Sequence, residues 1–205
     1  MNLILQYLLQ NYMEISGALL GIVYMILQYR ANAWMWIVGI VMPIINLFVY
    51  FQSGIYAIFA LQIYYIFIAS YGLWKWKFSR KTSHNKDGGG EKTLPIINTP
   101  RRLWLPIIGV LVALYVLIAL ILRQTDSNVV WGDSLNMALC IVGMWMCARK
   151  FVENWWLWML YDLICVGLYF YKGLYFYSAV SVIYAIIAFM GYLKWRNKMK
   201  EQQAF

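Results

Sequence analysis

Charged side chains are scarce in this sequence. Asp, Glu, Lys and Arg make up 12% of its 205 residues, whereas 63% are hydrophobic and 19% are aromatic. An average soluble domain has about 25% charged and roughly 45–50% apolar residues, so the composition excludes an ordinary soluble domain. Abundant Trp and Tyr are typical of the two water–lipid interfaces of a membrane protein. We therefore expect an all-α integral membrane protein that is embedded in the lipid bilayer.

Metal-binding and redox patterns are also missing. The three cysteines (Cys140, Cys147 and Cys165) fall in apolar stretches without a CxxC motif, and the single histidine, His84, lies in a polar stretch. These patterns support neither a disulfide framework nor a zinc site. The glycine run at 88–90 lacks the strand and the GK[ST] of a phosphate-binding loop. Since no Ser/His/Asp or Cys/His combination can be assembled either, we expect no metal, no cofactor and no enzymatic activity.

Long apolar runs are what the sequence does contain. About 20 apolar residues cross a bilayer as a helix. Seven such segments are predicted, at 13–29, 33–51, 55–76, 103–122, 132–148, 154–171 and 174–195. Residues 77–102 combine basic residues with glycines and prolines, which predicts a solvated, flexible cytoplasmic loop. Residues 196–205 are predicted to form a basic cytoplasmic tail.

Basic residues are distributed unevenly over the predicted loops. Of the 17 Lys and Arg residues, only Arg123 and Lys172 fall on one side of the seven-span arrangement. The positive-inside rule places the other side in the cytoplasm, with the N-terminus outside and the C-terminus inside. Because topology accounts for the net charge of +9, we expect no nucleic-acid partner.

The chain matches itself without gaps at an offset of 119 residues. Charges, glycines and tryptophans coincide at this offset: Glu14 with Asp133, Arg30 with Arg149, Trp36 with Trp155, Gly72 with Gly191, and Lys75-Trp76 with Lys194-Trp195. Each repeat, 13–76 and 132–195, holds three spans, and the span at 103–122 links them. The predicted fold is therefore a 3+1+3 parallel repeat, a design of transporters that place substrate near the midplane between their halves.

One stripe of the sixth span carries an acid among aromatic residues. Trp155, Trp158, Asp162 and Tyr169 are separated by 3, 4 and 7 residues, so they share one helix face. Asp162 lies about two turns inside the predicted span. A charged side chain there costs at least about 2.5–3.5 kcal/mol, so it should face protein, water or a ligand rather than lipid. The stripe suits a small planar or cationic solute. An interfacial aromatic belt, with an aspartate that pins a neighbouring helix, is the alternative interpretation.

The two repeats differ at several polar positions, which are better candidates for ligand contacts than the shared ones. Pro43 corresponds to Asp162, Gly39 to Trp158, Asn46 to Cys165 and Gln62 to Ser181. Asn46, Gln62, Trp158 and Asp162 are therefore predicted substrate contacts, with Trp36 and Trp155 as paired aromatic walls.

These motifs resemble the PnuC-type vitamin transporter family, and the likeness covers nearly the whole chain. It is carried by Tyr71-Gly72-x-x-Lys75-Trp76, by Asn154-Trp155-x-x-Trp158-x-x-x-Asp162 followed by Tyr169, and by Gly191-Tyr192-x-x-Trp195. The resemblance implies uptake of nicotinamide riboside, or of thiamine in a sister branch, by facilitated diffusion across a bacterial inner membrane. It further implies a SWEET-like architecture, a homotrimer, and a vitamin site lined by the Asn154–Asp162 motif.

The residues themselves do not choose the vitamin. Nicotinamide riboside and thiamine both carry a cationic planar ring that would stack on Trp155 or Trp158, with Asp162 balancing the charge. Asn46 and Gln62 suit either a carboxamide or an aminopyrimidine. One intramembrane acid without an obvious partner favours a uniporter. A SWEET-type sugar carrier and a membrane sensor that binds solute without moving it are the alternatives from other functional classes.

Overall fold

A computed structural model describes residues 12–52, 56–78, 94–124 and 129–203. Within these ranges the chain forms seven α-helices: α1 Tyr12–Tyr29, α2 Trp34–Gln52, α3 Tyr56–Phe78, α4 Arg101–Leu122, α5 Val130–Ala148, α6 Asn154–Tyr171 and α7 Tyr175–Gln203. The predicted spans coincide with these helices to within about two residues, except at the end of α7. Helix α7 continues to Gln203, beyond the predicted end of the span at 195, and includes most of the predicted tail 196–205.

Three of the helices, α4, α5 and α7, are long and apolar enough to cross a membrane, and shorter apolar helical stretches lie at Leu20–Tyr29 and Trp34–Ile45. Helix α4 leaves most of its apolar surface exposed, with only Ile107, Ile118 and Ala119 buried. An apolar helix surface of this kind is stable in lipid rather than in water.

The chain divides into two compact units, residues 1–79 and 80–205. In the first unit, α2 contacts both α1 and α3. In the second unit, α6 contacts both α5 and α7, and α4 packs against α5. The α4–α5 contact is an apolar cluster of Ile107, Val142, Met146 and Phe151. Helices α2 and α6, here called the middle helices of their units, therefore each contact the helix before and the helix after them.

Helices α1 and α5 end in the same way. Ala31 and Lys150, which are 119 residues apart, have positive φ angles of 55° and 54°. The amide of Asn32 donates to the Leu27 carbonyl at 2.9 Å, and the amide of Phe151 donates to the Met146 carbonyl at 3.1 Å. Both ends are Schellman motifs, in which a left-handed residue lets the chain turn back and satisfy the last carbonyls. Each turn delivers the chain to the middle helix of its unit.

A tryptophan pair packs over a glycine in each unit. Trp36 of α2 meets Trp76 of α3 edge to face, with ring centroids 5.5 Å apart and planes at 87°. A Cβ atom built on Gly72 of α3 would lie 2.5 Å from the Trp36 ring, so only glycine leaves room for it. In the second unit Trp155 meets Trp195 in the same geometry over Gly191. Each pair locks the middle helix of its unit to the helix that follows.

Residues 94–100 depart from the solvated loop predicted over 77–102. Leu94, Ile96 and Thr99 are buried, and Ile97 forms a parallel bridge with Phe151. The carboxylate of Glu153 accepts hydrogen bonds from the backbone amide and the hydroxyl of Thr99, both at 2.8 Å. Buried apolar side chains and hydrogen bonds to Glu153 and Lys150 hold this docked segment in place. Composition alone does not indicate such contacts. Residues 79–93 of the predicted loop lie outside the described residues.

Candidate functional site

Three residues of α6 form a stripe on the side that faces α5. Trp158 lies against Gly143 of α5, where an added Cβ would be 3.6 Å from the indole ring. Two turns further along α6, the sulfur of Cys165 accepts a hydrogen bond from Nδ2 of Asn136 on α5, at 3.2 Å. Asp162 lies four residues after Trp158 and three before Cys165, so helical periodicity places it on the same stripe. The site is built within the second unit from two antiparallel helices.

Asp162 is 5% exposed. Its carboxylate makes no hydrogen bond and no ion pair with any residue that the structure describes. Buried carboxylates in membrane helices are costly, and they normally have a partner or mark a pathway for a solute. An acid in this position can balance the charge of a cationic ligand or accept its hydrogen bonds.

Two further polar groups beside Asp162 are buried and unpaired within the described part of the chain. These are Nε1 of Trp158, a donor, and Oδ1 of Asn136, an acceptor. Asn136 itself is 8% exposed. Buried polar atoms are nearly always hydrogen-bonded in native proteins, so an unpaired group calls for an explanation such as a ligand. Donor, anion and acceptor together give the stripe the chemistry of a site for a polar, aromatic cation.

Sequence reasoning missed Asn136. It lies seven residues from Gly143 on α5, and in the first repeat its counterpart is Gly17. The comparison of diverged polar positions that selected Asp162 and Gln62 would also have selected this amide. The spacing along α5 alone did not indicate that it meets Cys165 across the helix pair.

Four predicted site residues are placed in helix packing. Trp36 and Trp155 are 0% and 1% exposed and lie in the tryptophan pairs of their units. Asn154, fully buried at the start of α6, donates from Nδ2 to the Phe151 carbonyl. Tyr169 lies beside Tyr177 of α7, with ring centroids 5.8 Å apart. Substrate contact by Trp36 or Trp155 stays a prediction, and Nε1 of each indole is buried without a partner among the described residues.

The other two predicted residues belong to the first unit. Gln62 is buried on α3. Its counterpart on α7, Ser181, is also buried and donates to the Tyr177 carbonyl of its own helix at 3.0 Å. The side chain of Asn46 on α2 lies outside the described residues. The roles of Asn46 and Gln62 in binding stay predictions.

The described ranges 12–52, 56–78, 94–124 and 129–203 contain few side chains suited to bind a metal ion. No group of three or more His, Cys, Asp and Glu side chains that could hold a metal ion occurs there. The polar groups of the α5–α6 stripe are an amide, an indole and one carboxylate, which suit an organic solute better than a metal ion.

Comparison with known proteins places this arrangement among transporters. The family model described as nicotinamide mononucleotide transporter matches residues 11–197. The nicotinamide riboside transporter PnuC of Escherichia coli (strain K12) is 32% identical over 178 residues, covering 75% of this chain and 72% of the relative. The riboflavin/roseoflavin transporter RibM of Streptomyces davaonensis is 38% identical over 65 residues, covering 32% of this chain and 30% of that protein.

The fold has a counterpart among solved structures. The crystal structure of the vitamin B3 transporter PnuC superposes with a TM-score of 0.70 at 17% sequence identity, covering 97% of this chain and 86% of that one. Because the sequence identity is only 17%, this similarity shows a shared fold and nothing further. The family that matches and the relative that is 32% identical are transporters rather than enzymes, so the chain is a membrane transporter. The chain belongs to the nicotinamide mononucleotide transporter family, to which its similarity extends over nearly its whole length.

Proposed function

We propose that this protein takes up nicotinamide riboside by facilitated diffusion. The observation that carries the proposal is the buried carboxylate of Asp162, unpaired among the described residues and one turn from Trp158. The relative in Escherichia coli, named as a nicotinamide riboside transporter, supports the choice of solute.

The chemistry of the stripe fits a pyridinium nucleoside. A planar cation stacks favourably on an indole, and each such contact contributes about 0.5–2 kcal/mol. The Asp162 carboxylate offsets the cost of moving the ring charge out of water, while the same cation offsets the cost of burying the carboxylate. Protein and solute each supply the partner that the other lacks in the membrane interior.

Other solutes of the same size fit less well. Riboflavin, named for the relative in Streptomyces davaonensis, is aromatic but neutral and leaves the Asp162 charge unbalanced. A sugar offers neither an aromatic ring nor a positive charge. Thiamine carries a cationic ring and suits the stripe, so it is the alternative that the experiment must separate.

The proposal includes the seven-span, 3+1+3 parallel architecture of the SWEET type. Two structural parallels support it, both at an offset of 119 residues. They are the Schellman turns at Ala31 and Lys150, and the tryptophan pairs Trp36–Trp76 and Trp155–Trp195. By the positive-inside rule the N-terminus is outside and the C-terminus is in the cytoplasm of a bacterium. We further propose a homotrimer, as the family resemblance implies.

Titration of tryptophan fluorescence with nicotinamide riboside tests the proposal, with thiamine and riboflavin titrated in parallel. Trp158 lies in the stripe and should report ligand directly. Saturation by nicotinamide riboside, followed by its uptake into proteoliposomes down a gradient, is the expected result. Saturation by thiamine alone would assign the protein to the alternative vitamin. Binding without uptake would instead favour a sensor, and a response to neither vitamin would exclude the proposed substrates.

The transport mode can be tested in the same vesicles. A uniporter equilibrates its solute and does not accumulate it when a proton gradient is imposed at equal concentrations on both sides. Concentrative uptake driven by that gradient would overturn the uniport mechanism and show that transport is coupled to protons.

A further inference from the structure

Asn136 offers a hydrogen-bond acceptor to the α5–α6 stripe. Its amide is 8% exposed, and Oδ1 has no partner within the described residues, whereas Nδ2 donates to Cys165. We propose that Asn136 is a substrate-binding residue whose Oδ1 accepts a hydrogen bond from the carboxamide N–H of the nicotinamide group. This inference rests on the proposed function and names the part of the substrate that the site distinguishes.

Cys165 holds one end of the Asn136 amide in the observed arrangement. A side-chain amide carries both an acceptor and donors, and rotation of the amide exchanges them. The sulfur of Cys165 takes up an Nδ2 donor at 3.2 Å, which leaves Oδ1 as the free end. Cys165 is therefore a positioning residue, which acts on the substrate through Asn136.

The order of groups along the helix pair matches the order of groups in the substrate. The Trp158–Gly143 contact and the Cys165–Asn136 contact are seven residues apart on each helix, or about 10 Å at 1.5 Å per residue. Asp162 lies between them. With the pyridinium ring stacked on Trp158 and its charge next to Asp162, the carboxamide on the ring points to Asn136.

An acceptor at this end of the site selects by charge and by hydrogen bonding. The carboxamide of nicotinamide has two N–H donors, whereas the carboxylate of the deamidated analogue, nicotinic acid riboside, has none at neutral pH. Bringing that carboxylate to Oδ1 would place two hydrogen-bond acceptors against each other in a buried site. A site built to accept a hydrogen bond from its substrate strongly rejects analogues that lack the donor. Asn136 therefore favours the amide form of the vitamin over the acid form.

Binding of the two ribosides to the purified full-length protein tests the assignment. For the wild type we expect nicotinamide riboside to bind more tightly than nicotinic acid riboside. Asn136→Leu keeps a side chain of similar size without the acceptor. It should weaken nicotinamide riboside binding about tenfold while affecting the acid analogue less, so the ratio of the two affinities falls. Asn136→Asp keeps the shape and adds a negative charge, so it should raise that ratio.

One pair of variants at Cys165 and one control variant separate positioning from packing. Cys165→Ser retains a hydrogen-bonding partner for Nδ2 and should preserve the selectivity ratio, whereas Cys165→Val should lower it. Ser178→Ala on α7 removes a buried hydrogen bond to the Val166 carbonyl. It should lower thermal stability without changing the ratio.

The possible failures can be told apart. If the wild-type protein binds neither riboside, the proposed function itself is wrong. If the wild type binds nicotinamide riboside, while Asn136→Leu folds and leaves affinity and ratio unchanged, only the role of Asn136 is wrong. If Asn136→Leu does not fold, Asn136→Asp provides the test. An unchanged ratio of the two riboside affinities in that variant would also overturn the role of Asn136. A loss of affinity equal for both ribosides would place Asn136 away from the carboxamide.

Discussion

Trp155 meets Trp195 edge to face, with ring centroids 5.6 Å apart and ring planes at 88°. A Cβ atom on Gly191 would lie 2.6 Å from the Trp155 ring, which is closer than van der Waals contact permits. The absence of a side chain at Gly191 thus lets the indole lie flat against α7. Trp36 and Gly72 show the same relationship in the first unit.

Gly191→Ala should destabilise the protein by about 1–3 kcal/mol, because the added methyl group overpacks the α6–α7 contact and displaces a fully buried indole. Thermal unfolding of the detergent-purified protein, followed by size-exclusion chromatography, measures the effect.

Gly167→Ala on α6 is the matched control, since nothing lies within 4 Å of a Cβ built there. Its melting temperature should stay close to that of the wild type. Equal shifts for the two variants would show that the close contact at Gly191 does not limit stability.

Glu153→Ala should release the docked segment 94–100. The substitution removes both hydrogen bonds from Thr99 and leaves two buried donors unpaired, a cost of about 1–3 kcal/mol. Limited trypsin digestion measures the release, because Arg101 and Arg102 directly follow the segment. Glu201→Ala, at an exposed position of α7, should leave the cleavage rate unchanged. A rate unaffected in both variants would mean that the remaining contacts hold the segment without Glu153.

The lowered pKa of Lys150 predicts that the free energy of unfolding rises at alkaline pH. Burial, together with the nearby positive charge of Lys198, lowers the pKa of Lys150 from 10.5 to about 8. Below about pH 8 the amine is charged in both the folded and the unfolded states, so the full cost of burying the charge is present. Between about pH 8 and 10.5 the folded state loses this proton while the unfolded state keeps it. The free energy of unfolding therefore increases with pH, by no more than about 3 kcal/mol.

Comparing melting temperatures of the wild type and Lys150→Met from pH 7 to 10 checks this sign. The substitution removes the titrating group and the hydrogen bond from Nζ to the Leu94 carbonyl. The difference between the two proteins should grow in favour of the wild type as pH rises. Lys200→Met, at an exposed position, is the control and should follow the wild type. Parallel curves for all three proteins would contradict the prediction.

Asp162→Asn should fold and yet bind nicotinamide riboside about tenfold to a hundredfold more weakly, because the neutral amide keeps the shape of the side chain but cannot balance a cation. Fluorescence titration gives the affinity and unfolding without ligand gives the stability. Loss of folding in this variant would instead identify Asp162 as a structural residue that pins α6. A neutral aromatic ligand, if one binds, should lose little affinity.

Much of the fold follows from local sequence. An apolar run long enough to span a bilayer must satisfy its own backbone hydrogen bonds, so each run predicted a helix with nearly correct ends. Helix α7 was predicted too short because its last turns are polar, and polarity was taken as the end of the helix. The docking of residues 94–100 was not predictable, because it depends on Glu153 and Lys150, which are about 50 residues away in the chain.

The candidate site likewise has one part that the sequence predicted and another that it did not. Periodicity along one helix was enough to place Trp158 and Asp162 on a common face, because the residues of a single helix have a fixed geometry. The sequence by itself thus determined the class of protein, the helices of the described ranges and the common face of Trp158 and Asp162. Trp155 and Tyr169, which were predicted on that same face, pack against α7. Only the tertiary structure decided that Asn136 meets Cys165 and that Trp155 is enclosed over Gly191. Contacts between helices depend on their rotation and register, which local spacing does not specify.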